Sequence, residues 1–429
     1  MTKNTSSPGF ATQCLHAGTP PEAQTGARQT PIFQTTSYVF KNQEHAAKLF
    51  GLKELGFIYS RLTNPTISAL EERLAALEGG AGATATASGH AAQLMVFSAL
   101  LQPDCEIIAA KRLYGGTINQ LSTTFPRCYG WRTIFVDDRD PANIAAAITD
   151  KTRAIFIESI ANPGGGVTDI AAIAAIAKKA GVPLIVDNTM ATPYLCRPIE
   201  FGADIVIHST TKFISGNGTS TGGVVIDSGK FDWAGEGDRY PALAKPDAGY
   251  HGLEFHQTFG EMAMTFHGHA VGLRDLGVNQ QPFNAFLTLL GLETLGLRMD
   301  RHVQNAQAVA EHLAKHPAVR AVDYAGLPTA PDHDLAKKYT PKGPGAVFTF
   351  RLKGGYDAGV SFVDRVQLLS HVANIGDSRS LVIHPASTTH SQLAPEDREA
   401  SGAGAEVVRL SVGLEDIADI IADIDQALT

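Results

Sequence analysis

An apolar run with no polar side chain, residues 182–186, ends at a carboxylate, Asp187. A run of this kind is typical of a strand buried on both faces, which occurs mainly in parallel sheets. Five more strand-like runs surround it, with helical patterns among them: the runs are 106–110, 133–136, 153–159, 204–209 and 222–227, and the helical patterns include 140–148 and 168–180. Alternation of this type predicts an α/β fold with a mostly parallel sheet.

The chain divides into three predicted parts. Residues 1–64 are turn-rich and are expected to form an arm, and residues 65–285 carry the strand and helix alternation of a large domain. A periodic apolar stretch at 285–316 predicts a connecting helix or helix pair. Residues 286–429 are expected to form a smaller α+β domain, with strand-like segments at 319–324, 345–352, 381–384 and 407–412 and helical segments at 359–370 and 415–428.

Composition and charge exclude several classes of function. The 429 residues are 44% hydrophobic, which suffices for large cores, and a formal charge of −8 offers no basic field for nucleic acid. Residues 1–10 lack the charge-flanked apolar segment of a signal peptide or a membrane anchor. Four scattered cysteines indicate neither a disulfide framework nor a zinc site, and they predict the cytoplasm: Cys14, Cys105, Cys128 and Cys196. The fifteen histidines are not accompanied by carboxylates or cysteines at ligand spacing, so no metal site is expected.

Lys212 is the first candidate for chemistry. It follows the strand-like run 204–207 and precedes the glycine-rich run 216–218. A strand end followed by a tight turn can desolvate an amine and hold it rigidly, as covalent catalysis requires, although most lysines after a strand are solvated surface groups. Ligand crevices of open α/β sheets lie at the carboxyl ends of strands, so Asp187 is expected nearby. Together they suit pyridoxal phosphate, whose ring nitrogen pairs with an aspartate; the alternative is that Asp187 caps a turn.

Two further positions point to the same sheet edge. A helical apolar spacing begins near Gly89, and a helix N-terminus with a glycine offers backbone N–H groups to a phosphate. Without the other parts, this segment is an ordinary capped core helix. Tyr114 follows the run 106–110 and can stack its ring on a cofactor, although a buried structural tyrosine is the commoner arrangement.

Arg409 interrupts the apolar strand-like run 407–412. A buried guanidinium is costly unless it is paired. The partner is either the carboxylate of a substrate or a side chain in a structural salt bridge.

These motifs together resemble the Cys/Met-metabolism family of pyridoxal-phosphate enzymes. The resemblance extends over nearly the whole chain, from the motif at 59–66 to the motif at 409–416. It implies fold type I, with a mostly parallel seven-stranded sheet in the large domain. It also implies a homotetramer built from dimers that share active sites, with the arm 1–64 contacting the partner subunit.

The resemblance also assigns roles to residues of this chain. It makes Lys212 the lysine that carries pyridoxal phosphate, Asp187 the partner of the ring nitrogen and Tyr114 the stacking ring. The phosphate is expected to bind the backbone amides of Gly89 and His90, the side chains of Ser209 and Thr211, and Tyr59 and Arg61 of the neighbouring subunit. Asn162 is expected near the ring oxygen and the substrate carboxylate, which Arg409 and Asn374 would hold. No catalytic role is expected for the side chain of His90.

Two features indicate a position within the family. The insertion 228–262 lacks clear periodicity, is expected to be a long lid-like loop, and resembles the O-acetylhomoserine sulfhydrylase branch. Gly116 occupies the place where methionine γ-lyases typically carry a cysteine. The resemblance thus implies γ-replacement on O-acetyl-L-homoserine by sulfide or methanethiol. Alternatives are γ-elimination, as in methionine or cystathionine γ-lyase, a cystathionine γ-synthase or O-succinylhomoserine sulfhydrylase activity, and a catalytically silent scaffold.

Overall fold

Seven strands between residues 82 and 227 pair into one sheet in the computed structural model, which describes residues 8–392 and 394–429. Residues 1–7 of the expected arm lie outside the described part. The strands are β1 Gly82–Thr86, β2 Glu106–Ala110, β3 Arg132–Val136, β4 Thr152–Glu158, β5 Leu184–Asp187, β6 Ile205–His208 and β7 Gly223–Asp227. Their order is β1-β7-β6-β5-β4-β2-β3. Only β7 runs antiparallel to its neighbours, which confirms the mostly parallel seven-stranded sheet.

A second sheet follows nearer the C-terminus. Its strands are β8 Val319–Asp323, β9 Val347–Leu352, β10 Ser370–His371, β11 Leu381–Ile383 and β12 Val407–Ser411, in the order β10-β11-β12-β9-β8. All pairs are antiparallel except β10 with β11. The smaller α+β unit is therefore present, and the exact domain boundaries at 64 and 285 stay a prediction.

The helices cover the faces of the first sheet and connect it to the second. The α-helices are α1 Phe10–His16, α2 Gln43–Phe50, α3 Pro65–Glu78, α4 Gly89–Leu100, α5 Gly115–Asn119, α6 Phe125–Tyr129, α7 Pro141–Ala147, α8 Ile170–Ala180, α9 Thr192–Leu195, α10 Pro241–Ala244, α11 Phe255–Phe259, α12 Ala263–His267, α13 Pro282–Glu293, α14 Leu295–Leu313, α15 His333–Tyr339, α16 Gly355–Arg365, α17 Pro395–Ala400 and α18 Ile417–Leu428. Two π-helical segments, Gln120–Thr124 and Gly268–Leu276, and short 3-10 turns at Pro198–Phe201, Ala248–Tyr250, Gly260–Met262 and Pro385–Ser387 complete them. The periodic stretch at 285–316 is thus a helix pair. In the described part, no helix is both long enough and apolar enough to span a bilayer.

Register places the carboxyl ends of the central strands side by side. Glu158 at the end of β4 pairs in register with Asp187 at the end of β5, and Asp187 pairs with Ile207 of β6. The apolar residues of these strands are fully buried between helices. The edge of the sheet where these strands end is therefore the place where polar side chains from several strands meet.

Two expectations about single elements are wrong. The insertion 228–262 is not a structureless loop, because it contains α10 and α11 and buries the side chains of Trp233, Tyr240 and Phe255. The Tyr240 hydroxyl also donates to the carbonyl of Arg153 at 3.1 Å, which ties the insertion to β4. The helix expected at 359–370 is α16, which ends at Arg365, because the carboxylate of Asp423 accepts the next backbone N–H groups at 367–369.

Candidate active site

A cavity of about 220 Å³ opens at the carboxyl ends of β4, β5 and β6 and is closed on one side by the second sheet. It collects nine of the twelve residues predicted from the sequence: Gly89, His90, Tyr114, Asn162, Asp187, Ser209, Lys212, Asn374 and Arg409. Side chains that are far apart in the sequence thus line one cleft, as the sheet edge argument predicts.

Lys212 projects into this cavity and is half-buried. Burial, helped by the positive charge of Arg409, lowers the pKa of the Lys212 amine to about 8. Its Nζ donates to the side-chain oxygen of Asn374, a residue of the second sheet's region. The amine is therefore held in place and partly neutral near physiological pH.

Arg409 is almost completely buried on β12, with 4% of its surface exposed. Its Nη1 donates to Asn162 Oδ1 at 3.0 Å and its Nη2 donates to the carbonyl of Asn374 at 3.2 Å. Burial lowers the pKa of the guanidinium to about 10. Among the described residues neither Arg409 nor Lys212 forms an ion pair with a carboxylate, so the structural salt bridge considered for Arg409 is not formed.

Two carboxylates face the cavity from adjacent strands. Asp187 accepts the backbone N–H of Thr189 at 3.0 Å, an arrangement that lets the chain turn away from the end of β5. Burial raises the pKa of Asp187. Burial, and then the neighbouring charge of Asp187, raise the pKa of Glu158 well above its usual range. A cationic group beside these carboxylates would lower both pKa values.

Helix α4 points its N-terminus into the same cavity. Ser88 caps the helix by accepting the N–H of Ala91 at 3.1 Å, and the amides of Gly89 and His90 in the first turn have no intrahelical acceptor. A Cβ on Gly89 would lie 3.0 Å from Cβ of Ser209, so glycine permits the close approach of helix and strand end. Free backbone amides of this kind at a helix N-terminus suit an anion.

Tyr114 exposes 43% of its surface at the mouth of the cavity. The ring of His90 lies beside it, with ring centroids 5.8 Å apart and planes at 33°. Burial lowers the pKa of His90, which favours the neutral imidazole. A Cβ on Gly116 would lie 2.5 Å from Cε1 of Tyr114, so a side chain at position 116 would require the tyrosine ring to move.

Three predicted residues do not line the cavity of their own chain. Tyr59 is 41% exposed, and Arg61 packs beside its ring and donates to the carbonyl of Arg274. The Thr211 hydroxyl donates to the carbonyl of Gly222 at 3.2 Å and accepts the N–H of Gly222 at 3.0 Å. Phosphate binding by these three residues stays a prediction.

A buried polar cluster lies behind the strand ends and was not predicted. Glu78 Oε1 is 2.6 Å from Nε2 of His208 and accepts from Nδ2 of Asn188 at 2.8 Å, while Ser159 donates to Oδ1 of Asn188 at 2.7 Å. Each strand end thus alternates, with one side chain towards the cavity and the next towards this cluster. The cluster joins the carboxyl ends of β4, β5 and β6.

Glu158 is the main cavity residue that the sequence argument missed. Other unpredicted side chains in the wall are Ser88, Gln93, Thr117, Thr189, Met190, Ala373, Ile375 and Thr389. The signal for Glu158 was present, because it ends an apolar strand just as Asp187 does. No group of three or more residues suited to holding a metal ion occurs in the ranges that the structure describes.

Comparisons with known proteins agree with this geometry. O-acetyl-L-homoserine sulfhydrylase 1 of Thermus thermophilus is 51% identical over 98% of this chain and 99% of its own length. Homocysteine synthase of Schizosaccharomyces pombe is 50% identical over 98% of both chains. A crystal structure from Campylobacter jejuni, assigned as an O-acetylhomoserine (thiol)-lyase and containing N'-pyridoxyl-lysine-5'-monophosphate, superimposes with a TM-score of 0.95 at 40% identity, covering 98% of this chain and 99% of that one.

A family model described as Cys/Met metabolism PLP-dependent enzyme matches residues 11–429. The described fold, the cavity with its lysine and paired carboxylates, and the match over nearly the whole chain agree. The chain therefore belongs to the Cys/Met-metabolism family of pyridoxal-phosphate-dependent enzymes.

Proposed function

We propose that this chain catalyses γ-replacement on O-acetyl-L-homoserine, in which sulfide displaces acetate and L-homocysteine is formed. Methanethiol in place of sulfide gives methionine. Relatives with this printed activity match the chain over nearly its whole length. The observation that carries the proposal is Arg409, a buried cation that faces the same cavity as Lys212 and forms no ion pair with a carboxylate in the part of the chain that the structure describes.

The residues of the cavity fit pyridoxal phosphate. The free amides at the start of α4 and Ser209 suit its phosphate, Asp187 suits its ring nitrogen, and Lys212 would hold it covalently. When bound, the cofactor supplies an electron sink for negative charge that develops on the substrate's α-carbon. Burial raises the pKa of Asp187 and lowers the pKa of Lys212, so a cationic group beside Asp187 and an anionic group beside Lys212 would each be favourable.

Lys212 moves protons in the proposed reaction. With a pKa near 8, its amine is neutral in an appreciable fraction of molecules at neutral pH, as a general base requires. Once the substrate's amine has replaced Nζ on the cofactor, the freed Nζ would take the proton from the substrate's α-carbon and later return one. The contact with Asn374 keeps Nζ from swinging out of the cavity.

Arg409 binds the substrate's α-carboxylate. The guanidinium is already oriented by Asn162 and by the backbone of residue 374, so little side-chain freedom is lost when a carboxylate binds. Gly116 has no side chain to contact the ring of Tyr114. A cysteine, which is typical of methionine γ-lyases at this position, would displace that ring. This favours replacement over the lyase activity.

We also propose a homotetramer built from dimers that share active sites, in the cytoplasm, with no nucleic-acid or membrane partner. Tyr59 and Arg61 lie outside the cavity of their own chain, and the arm exposes apolar side chains, including Val39, Leu55 and Phe57. Such a patch is typical of a surface that another subunit covers. The four free cysteines and the net charge of −8 support the compartment and the lack of nucleic-acid binding.

The test is a product analysis of the holoenzyme with O-acetyl-L-homoserine, with and without sulfide. Homocysteine as the main product in the presence of sulfide supports the proposal. Formation of 2-oxobutyrate whether or not sulfide is present contradicts it and indicates γ-elimination. A parallel assay with O-succinyl-L-homoserine decides the ester preference.

A further inference from the structure

Glu158 joins two loops that carry site residues. Its Oε1 accepts the backbone N–H of Tyr114 at 2.7 Å, and its Oε2 accepts the backbone N–H of Asn162 at 2.9 Å. Tyr114 follows β2 and Asn162 follows β4, so the two loops leave adjacent strands of the sheet. One carboxylate therefore fixes the backbone of both loops.

The connection continues to the second sheet. Oδ1 of Asn162 accepts from Nη1 of Arg409 at 3.0 Å, and Nη2 of Arg409 donates to the carbonyl of Asn374. An unbroken series of direct hydrogen bonds thus runs from Tyr114 through Glu158 and Asn162 to Arg409. It spans the cavity wall from the backbone of Tyr114 to the buried guanidinium of Arg409.

Both side-chain oxygens at position 158 must accept a hydrogen bond. Glu158 is 5% exposed, and a buried carboxylate is costly unless its oxygens are hydrogen-bonded. A glutamine has the same shape but one acceptor oxygen and one NH₂ donor. It can accept only one of the two backbone N–H groups, and its NH₂ would face the other.

We propose that Glu158 is a positioning residue, whose two hydrogen bonds hold Tyr114 and Asn162, and through Asn162 also Arg409, in the geometry that binds the cofactor ring and the substrate carboxylate. The substrate part of this inference rests on the proposed function, because it takes an α-amino acid as the substrate. The cofactor part does not.

The variants Glu158→Gln and Glu158→Asp test the proposal against a matched control. The control is Asp423→Asn, because Asp423 is also a buried carboxylate that accepts backbone N–H groups, at 2.8, 2.9 and 3.0 Å, but it does not line the cavity. Four measurements are made on each holoenzyme: hydrogen exchange at the amides of Tyr114 and Asn162, the dissociation constant of pyridoxal phosphate, kcat and KM for O-acetyl-L-homoserine, and the urea midpoint.

Leaving a buried backbone N–H without an acceptor corresponds to about a 10-fold to 100-fold change. In Glu158→Gln we expect exchange at one or both of these amides to rise about 10-fold, with a rise of about 10-fold in the dissociation constant and in KM. Glu158→Asp keeps two acceptor oxygens on a side chain one methylene shorter, so we expect values between those of wild type and the glutamine variant. Asp423→Asn should lower the urea midpoint and leave the other quantities as in wild type.

The proposal is overturned if Glu158→Gln leaves amide exchange, cofactor dissociation and KM unchanged, even where its urea midpoint falls like that of the control. If Glu158→Gln does not fold, Glu158→Asp decides by the same measurements. If wild type makes no homocysteine, the proposed function fails, but amide exchange and cofactor dissociation still test Glu158 separately.

Discussion

At the scale of single residues, the cavity contains two cations, Lys212 and Arg409, that form no ion pair with any carboxylate among the described residues. Burial lowers the pKa of Lys212 from 10.5 to about 8, and Arg409 adds to this effect. The folded protein therefore binds the Lys212 proton more weakly than the unfolded chain does. Below pH 8 both states are protonated and the folded state carries the full cost of a buried ammonium. Between pH 8 and 10.5 the folded state loses its proton first and the cost disappears.

Lys212→Met should consequently stabilise the cofactor-free protein. The expected gain in the free energy of unfolding at pH 7 is about 3 kcal/mol, from the size of the pKa shift, and it should shrink as the pH rises from 8 to 10.5. Urea unfolding at pH 7 and at pH 10, at one protein concentration, measures it. Lys53→Met at an exposed position is the control and should show no gain. A gain of equal size at both pH values would mean that charge burial is not its cause.

At the scale of elements, the start of α4 is set against the end of β6 with no room for a side chain. A Cβ on Gly89 would lie 3.0 Å from Cβ of Ser209. Gly89→Ala should widen this gap by a few tenths of an ångström and misplace the first amides of the helix. We expect the dissociation constant of pyridoxal phosphate to be about 10-fold higher than in wild type, because roughly one good hydrogen bond to the phosphate is lost. Absorbance titration of the cofactor measures it, and unchanged affinity would exclude α4 from the phosphate site.

The cluster behind the strand ends should support the fold rather than bind ligands. Asn188→Leu removes its hydrogen bonds with Ser159, Glu78 and the carbonyl of Cys196, and it leaves Glu78 with His208 as its remaining partner. We expect a loss of about 2–4 kcal/mol in the free energy of unfolding. Urea unfolding of this variant is compared with Asn119→Leu, an exposed asparagine on α5. Equal midpoints would show that the cluster contributes little.

Elements were predictable from the sequence where burial alone determines them. The strands β4, β5 and β6 are apolar because helices cover both faces, so their runs stand out and their carboxyl ends place Asp187 and Lys212 together. Strand β1 was not predicted, because Gly82–Thr86 consists of glycine, alanine and threonine and lacks the branched apolar residues typical of strands. The role of Glu158 was not predictable either, because its oxygens bind the backbone N–H groups of two different loops. These N–H groups belong to Tyr114 and Asn162, which are 48 residues apart in the sequence and meet only in the folded protein.

At the scale of the whole molecule, we propose that a second chain supplies Tyr59 and Arg61 to the site. Arg61 is directed at the carbonyl of Arg274 in its own chain, and neither residue reaches the cavity that holds Lys212. An isologous dimer would bring each arm to the partner's cavity. Two differently damaged chains should then be able to form one intact site between them.

Mixing Arg61→Ala with Lys212→Ala tests this arrangement. Each variant alone should be inactive at low pyridoxal phosphate, because its sites lack either the guanidinium or the lysine. After unfolding and refolding together, about half of the dimers are hybrids with one intact site of two, which gives about a quarter of wild-type activity. The same variants refolded separately and then combined serve as the control. If the co-refolded mixture stays as inactive as that control, Arg61 acts within its own chain or not at all, and the site is not shared between subunits.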